Sequence, residues 1–462
     1  MKNFINPDII YTHLEENSKP DKFFIRDILE QSKSIDHKSL SLKQTAALLQ
    51  NKDPEIDKEI FSIAKEIKKR IYGNRMVLFA PLYVSNTCIN NCAYCGFRTE
   101  NKDLIRKTLN ENELKEEVVA IEQMGHKRLL MVYGEGNHDA YWIADTIATA
   151  YSIKKPPSGE IRRININCAP TSVDNFKILK NAEIGTYQCF QETYHSPTYK
   201  KVHISGPKSD YLYRLYSMHR AMEAGIDDIG IGALFGLANY KFEVLALLSH
   251  CEKLERDFGV GPHTISFPRI EPAQGSELSH KPPHAVTDDE LKRIIAITRL
   301  AVPYTGMILS TRESAKLRTE LLEFGISQLS AASRVYPGSY KAEKINQEDT
   351  QQFTIADERS LDEVVFDMTK HGYIPSFCTG CYRKSRTGDH FMGLAKTNFI
   401  KNFCKPNAIL TFAEYLRDYA SDKTRQTGNN LIKNLIKEDD NLKNNISDSL
   451  SKIMNGENDI YF

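Results

Sequence analysis

The sequence predicts an α/β protein built on a TIM barrel, a (β/α)8 fold with a helical extension before it and a mostly helical segment after it. Three observations point there. Eight short, apolar, β-rich runs alternate with longer stretches of helical period between residues 73 and 336. Some of those stretches stop on glycine. Polar residues gather just after the apolar runs, at the strand ends where barrel loops carry function. At 462 residues the chain has room for such a barrel and further pieces.

Taken in order, residues 1–72 are charged and helical in pattern. Ile56, Ile60, Ile63, Ile67 and Ile71 recur at steps of three and four, which predicts an N-terminal helical cap. The predicted strands are 76–84, 128–133, 161–168, 186–191, 228–233, 263–269, 306–310 and 328–333. A helix is expected over 110–124, with an acid-rich first turn and Gly125 at its end, and another over 209–223, stopped by Gly225. Hydroxyls in Pro170-Thr171-Ser172 and Val286-Thr287-Asp288 give further starts by accepting from free backbone amides. After Tyr336 the rhythm ends. A loop at Pro337-Gly338-Ser339 and a polar stretch to Arg359 lead to helical pattern over 361–371, and the tail, rich in Asn, Lys and Asp, reads as polar surface helix. The chain thus divides at 72 and 336, with 337–462 as a C-terminal domain.

Charge excludes some functions. Lys plus Arg, 61, nearly cancels Asp plus Glu, 60, so no global field favours nucleic acid or an acidic membrane as partner. No apolar run is long enough to span a bilayer, and the first residues carry neither a signal core nor an import pattern, which places the protein in the cytoplasm. Nine cysteines, six of them in two clusters of three, form a metal pattern and not a disulfide framework. The remaining Cys168, Cys189 and Cys251 lie in apolar segments and read as core.

The first cluster is Cys88-Ile-Asn-Asn-Cys92-Ala-Tyr-Cys95. Three thiolates in one tight loop can hold three corners of a cubane iron–sulfur cluster and leave the fourth iron open for chemistry; a zinc loop completed by a distant histidine is the alternative. Gly134-Glu135-Gly136 follows the second strand, where the glycines allow close backbone approach and the carboxylate can accept from an ammonium group. Glu192, in Gln191-Glu192-Thr193-Tyr194-His195 after the fourth strand, sits where an unpaired carboxylate is costly to bury, so it should face a polar ligand or a salt bridge. Arg269 in Ser266-Phe267-Pro268-Arg269, Arg312 in Ser310-Thr311-Arg312-Glu313 and Arg334 after Ser333 offer guanidinium forks to a carboxylate, or brace the barrel rim. The second cluster is Cys378, Cys381 and Cys404. His390 would complete a zinc site there; otherwise the three hold a second iron–sulfur cluster with an open position.

The cysteine motif, Gln191–His195, Gly261-Pro-His-Thr-Ile-Ser-Phe-Pro-Arg269 and Leu309-Ser-Thr-Arg-Glu313 resemble the aromatic-amino-acid lyases of the radical S-adenosylmethionine (SAM) superfamily. Cys378-Thr-Gly-Cys381-Tyr-Arg-Lys-Ser-Arg-Thr-Gly-Asp389, with Cys404 downstream, is similar to the HydG-like maturases of the FeFe-hydrogenase H-cluster. The resemblance spans about residues 71 to 408. It implies a radical SAM barrel with two 4Fe-4S clusters. Cys88, Cys92 and Cys95 would bind the first cluster, which cleaves SAM to a 5′-deoxyadenosyl radical, with Gly134, Glu135 and Glu192 around the SAM. Cys378, Cys381 and Cys404 would bind an auxiliary cluster in the C-terminal domain, at the opposite end of the barrel, with an extra labile iron. His263, at the bottom rim, is a candidate ligand of that iron, and a satisfied core histidine is the alternative. Arg269, Ser310, Arg312 and Arg334 would hold the substrate. The implied activity is cleavage of L-tyrosine at Cα–Cβ to p-cresol and dehydroglycine, then carbon monoxide and cyanide on iron. The implied partners are free cysteine at the extra iron, a reductant such as flavodoxin or ferredoxin, and other hydrogenase maturases. A tyrosine lyase feeding thiazole synthesis and an iron–sulfur carrier without catalysis are the rival functions.

Overall fold

Residues 1–136, 138–342 and 351–462 are described by the computed structural model, so part of the predicted polar stretch before Arg359 lies outside them. The architecture is set by β1 (Arg75–Ser85), eleven residues buried throughout. A strand covered on both faces must be apolar on both, which is why it reads as a continuous run. It is followed by β2 (Arg128–Tyr133), β3 (Arg163–Asn167), β4 (Thr186–Gln188), β5 (Asp228–Gly232), β6 (Thr264–Ser266), β7 (Gly306–Leu309) and β8 (Gln328–Ser330). Each is parallel to its neighbour in this order, and Leu329 of β8 pairs back onto Leu78 of β1 to close the barrel. The eight predicted strands are present, several cut short at their C-terminal ends where the chain bends into loops.

A ninth strand, β9 (Ile374–Ser376), was not expected. It pairs in parallel with Arg75–Val77, whereas β2 pairs with β1 only from Ala80 upward. The two therefore lie end to end along one edge of β1, and β9 uses backbone groups that β2 leaves open. Along the other periodicity, Phe79, Pro81 and Tyr83 line a chamber at the top of the barrel, and Arg75 and Val77 line one at the bottom. Alternation on a single strand thus serves both chambers.

Helix starts follow the sequence signals. Asn110, Thr287 and Ser360 each form a capping box with the glutamate three residues on. The helix predicted over 209–223 is instead broken into Tyr211–Leu215 and Ser217–Glu223. The isoleucine stripe of helix Pro54–Tyr72 is buried, and that helix packs against helix Asp288–Ala301 on the barrel. In the tail, Asp422–Lys437 and Asp440–Met454 are helical, and Ile432, Leu442, Ile446 and Ile453 turn inward against helix Lys401–Asp418.

After β8 the chain crosses the top of the barrel before helix Leu361–Lys370 returns it to the bottom. The crossing is pinned by a buried ion pair of Arg318 with Asp357, to which Arg359 adds a second guanidinium at 2.7 Å. Removing Asp357 strands the buried Arg318 guanidinium, whereas Arg359 keeps Asp367 at 2.9 Å. Asp357→Leu should therefore lower unfolding free energy by about 3–5 kcal/mol. Urea denaturation should show this as a lower midpoint, with Arg318→Met/Asp357→Leu recovering most of the loss.

Candidate active site and metal centres

The upper chamber is built on the loop that leaves β1. Asn91–Cys92 pairs antiparallel with His203–Ser205, and the amide of Ile89 donates to the carbonyl of Glu135 at 3.1 Å. The loop also presses on Gly134 and Gly136. A Cβ on Gly134 would run into the carbonyl of Thr87, so this glycine serves the close approach of the cysteine loop itself. Cys88, Cys92 and Cys95 border the chamber. Burial pushes all three thiols up, Cys95 to about 11, and nearby Lys208 opposes this. Three thiols, Cys92 buried and Cys88 and Cys95 half-buried, with so little compensating charge are a donor set suited to a cationic metal core.

Two acids and two cations form the wall beside that loop. Glu135 receives Nη1 of Arg214 at 2.9 Å and Nδ2 of Asn90 at 3.1 Å, and lies 3.5 Å from Nζ of Lys208. Lys208 reaches Glu192 at 2.8 Å. Although burial opposes ionisation, Arg214 and Lys208 hold the Glu135 carboxyl down at about 2. Glu192 adopts φ of 69°, a left-handed backbone uncommon for a non-glycine residue, which marks the turn that carries it to the rim. Tyr94, inside the cysteine motif, bonds His203 through its hydroxyl at 2.8 Å and so ties the loop to the hairpin below it.

The three arginines separate. Arg312 enters the chamber, its guanidinium 3.2 Å above the Phe353 ring, and its one side-chain bond is to the carbonyl of Arg269 at 3.3 Å. No carboxylate pairs with it among the described residues. Ser310 lines the same wall. Arg269 does not join them. It is spent on Glu313 and on Asp288 at 2.9 Å, bracing the rim. Arg334 does not line the chamber, although its neighbours Ser333 and Val335 do, and its backbone amide donates to the Tyr340 hydroxyl at 3.3 Å. Neither Arg269 nor Arg334 is among the residues that line the chamber. Chain beyond the barrel supplies residues the sequence did not suggest, with Gln352 bonded to Tyr83 at 2.7 Å and approaching Cys95 Sγ at 3.8 Å. Glu271 was also missed; burial and the nearby Glu313 push its carboxyl up to about 7.

Cys378, Cys381 and Cys404 meet at the bottom of the barrel around a second chamber, which His263 also lines. His390 is exposed and bonds a backbone carbonyl, so it does not complete that triplet. Arg128 donates to the carbonyl of Cys378 at 2.7 Å, and a bond from Cys381 with the charge of Arg75 favours the thiolate at Cys404. Nδ1 of His263 is 3.4 Å from Asp228 but makes no hydrogen bond, and burial pushes the imidazole down toward its neutral, metal-binding form. Among the described residues no three acidic, histidine or cysteine side chains are gathered for a single ion. Each triplet instead rims a cavity. Cys168, Cys189 and Cys251 are buried.

Comparison with known proteins agrees with this geometry. Residues 82–247 match the model of the radical SAM superfamily, and 266–374 that of the biotin and thiamin synthesis associated domain. The 2-iminoacetate synthase of Escherichia coli (strain K12) is 32% identical over 315 residues, 68% of this chain and 80% of that protein. A crystal structure of HydG, a maturase of the FeFe-hydrogenase, superposes with a TM-score of 0.95 at 47% identity, covering 100% of both chains. The chain belongs to the HydG family of radical SAM enzymes. HydG from Carboxydothermus hydrogenoformans is likewise similar, with a TM-score of 0.84, 41% identity and 97% of both chains covered. Membership carries a 4Fe-4S cluster and SAM as cofactors, and the upper cysteine loop is the donor set that fits them.

For this HydG-family chain the packing of Gly134 is a sharp test of how the loop is held. In Gly134→Ala the new methyl displaces the Thr87 carbonyl and the loop with it. Iron bound at the upper site should fall by at least about half, given the cost of overpacking. Iron analysis and EPR of the SAM-binding cluster would check this; full occupancy would contradict it.

Proposed function

We propose that the protein cleaves L-tyrosine at Cα–Cβ to p-cresol and dehydroglycine in the upper chamber, and converts dehydroglycine to carbon monoxide and cyanide in the lower one for assembly of the FeFe-hydrogenase H-cluster. The observation that carries this reading is the pair of thiol triplets at opposite ends of one strand, each opening on its own chamber. When bound, the upper cluster and SAM supply the radical that takes a hydrogen atom from the tyrosine amino group.

The chain's own residues do the rest. Arg312, with no acidic partner, receives the tyrosine carboxylate, and Ser310 stands beside it. Glu271, with its carboxyl near neutrality, can hold or release a proton at the bound substrate. Glu135, held ionised by Arg214 and Lys208, and Glu192, bonded to Lys208, form the polar wall for the cofactor. A passage from the upper chamber to the lower would run past Gln188, Ser266, Gly306 and Ser330, none of which carries a bulky branched side chain. At the bottom, Cys378, Cys381 and Cys404 would hold the auxiliary cluster and His263 the extra iron. Free cysteine is a further ligand for that iron, and flavodoxin or ferredoxin the electron donor.

A lyase feeding thiazole synthesis would need no lower thiols, and a carrier would need no Arg312. Anaerobic turnover with tyrosine, SAM and reductant separates the three. Wild type should give p-cresol and carbon monoxide, trapped on deoxymyoglobin. Cys378→Ala/Cys381→Ala should still give p-cresol but little carbon monoxide. Carbon monoxide absent from both points to the thiazole-type lyase, and absence of p-cresol to the carrier. Arg312→Gln should raise the KM for tyrosine by roughly tenfold or more, the cost of a lost charged hydrogen bond.

A further inference from the structure

The loop that carries the upper thiols is bordered by an exposed apolar edge. Ile89, inside the cysteine motif, is 39% exposed, Ile105 61% and Ile204 54%. All three are joined to the loop. Nδ2 of Asn86, two residues before Cys88, donates to the carbonyl of Ile105 at 2.8 Å, and Asn91–Cys92 pairs with the strand His203–Ser205 that carries Ile204. Gly206 closes the gap, since a Cβ there would meet the carbonyl of Ile89 at 2.8 Å. Single exposed apolar residues are ordinary, but three around one functional loop mark a contact surface. Charge rings this edge. Residues 196–209 hold Lys200, Lys201 and Lys208 and no acid, and residues 98–108 hold four cations and two acids. Seven cations against two acids give these segments +5, in a chain whose total is +1. Lys208 and Lys107 are engaged with Glu192 and Glu113, and Arg106 with the carbonyls of Asn86, Phe97 and Arg98. Lys102, Lys200 and Lys201 are exposed and have no acidic partner among the described residues.

We propose that Ile89, Ile105 and Ile204, ringed by Lys102, Lys200 and Lys201, form the docking surface for a small acidic protein that carries one electron. The kind of partner rests on the donor reading above. An apolar centre with a charged rim is the build of a transient protein interface, and a basic rim steers an acidic partner to it. Cys88 is half-buried and adjoins Ile89, so a protein seated on this edge lies directly against the thiol loop. One electron leaves the carrier, enters the metal core held by Cys88, Cys92 and Cys95, and breaks one C–S bond of SAM, giving methionine and the 5′-deoxyadenosyl radical. The carrier is left oxidised by one electron. The lower triplet is no substitute source. It lies at the other end of β1, about 33 Å along the strand, and a cluster there would itself have to be reduced.

The test uses reconstituted full-length protein and flavodoxin as probe. Calorimetry without SAM or tyrosine should show binding that weakens as salt rises, and that falls by about tenfold or more in Lys200→Glu/Lys201→Glu and in Ile204→Asp. Lys200→Arg/Lys201→Arg should bind as wild type does. So should Lys433→Glu/Lys437→Glu, a reversal on helix Asp422–Lys437, which packs on helices Leu361–Lys370 and Lys401–Asp418 and not on the loop. In Lys200→Glu/Lys201→Glu, 5′-deoxyadenosine formation driven by reduced flavodoxin should fall with affinity. Formation driven by dithionite, and the EPR signal of the dithionite-reduced upper cluster, should stay as in wild type. Equal flavodoxin affinity in wild type and Lys200→Glu/Lys201→Glu would overturn the docking surface. So would an equal loss in Lys433→Glu/Lys437→Glu, which would leave net charge as the whole effect, or loss of the dithionite-driven reaction, which would make the lysines part of the chamber itself. Because affinity is read without tyrosine, a protein that forms no p-cresol would end the tyrosine reading and still decide whether this surface docks the carrier.

Discussion

The constraint on which the molecule depends is the pairing of β1 with three strands at once. Its upper half is fixed by β2, its lower half by β9, and its opposite edge by β8. One end of β1 leads into the loop of Cys88, Cys92 and Cys95; beside the other end, β9 leads into Cys378. An eleven-residue strand spans about 33 Å, so the two thiol triplets cannot share one bound molecule. Any chemistry using both must pass an intermediate between them.

That separation is matched by how charge is distributed. Where structure is being held, opposite charges meet: Arg318 with Asp357, Arg269 with Glu313, Lys208 and Arg214 with Glu135 and Glu192. In the upper chamber, by contrast, Arg312 is left without a carboxylate partner among the described residues. An unpartnered buried guanidinium costs stability, and so is retained only where a ligand or a catalytic step compensates for it. This contrast sorts the chain's arginines better than their positions after strands do. Arg269, Arg312 and Arg334 occupy equivalent places after successive strands, yet only Arg312 enters the chamber.

The barrel was legible because parallel strands buried on both faces read as apolar runs, and because the helices between them carry caps such as Asn110 with Glu113 and Thr287 with Glu290. Both cysteine triplets were legible from spacing and from resemblance, and so was the bottom-rim position of His263. β9 was not: three residues with a proline at the centre carry no period. Lys208 and Arg214 were hidden because nothing local marks a lysine or arginine whose partners lie 16 positions away, as Glu192 does from Lys208, or 79, as Glu135 does from Arg214. The roles of Gly134, Gln352 and Phe353 come from contacts between segments distant in sequence, which periodicity does not report.

The lower site is part of the barrel and not an appendage to it. β2 begins opposite Ala80, so without β9 the backbone groups of Arg75–Val77 would lose their partners on that edge, beneath a chamber wall of buried arginines. A truncation ending before residue 374 would therefore disturb the strand that also positions Cys88. Loss of tyrosine cleavage in such a truncation would say nothing about whether Cys378, Cys381 and Cys404 hold a cluster. Substitution of Cys378 and Cys381 leaves β9 paired, and so separates the chemistry of the lower chamber from the support that the same segment gives to the upper one.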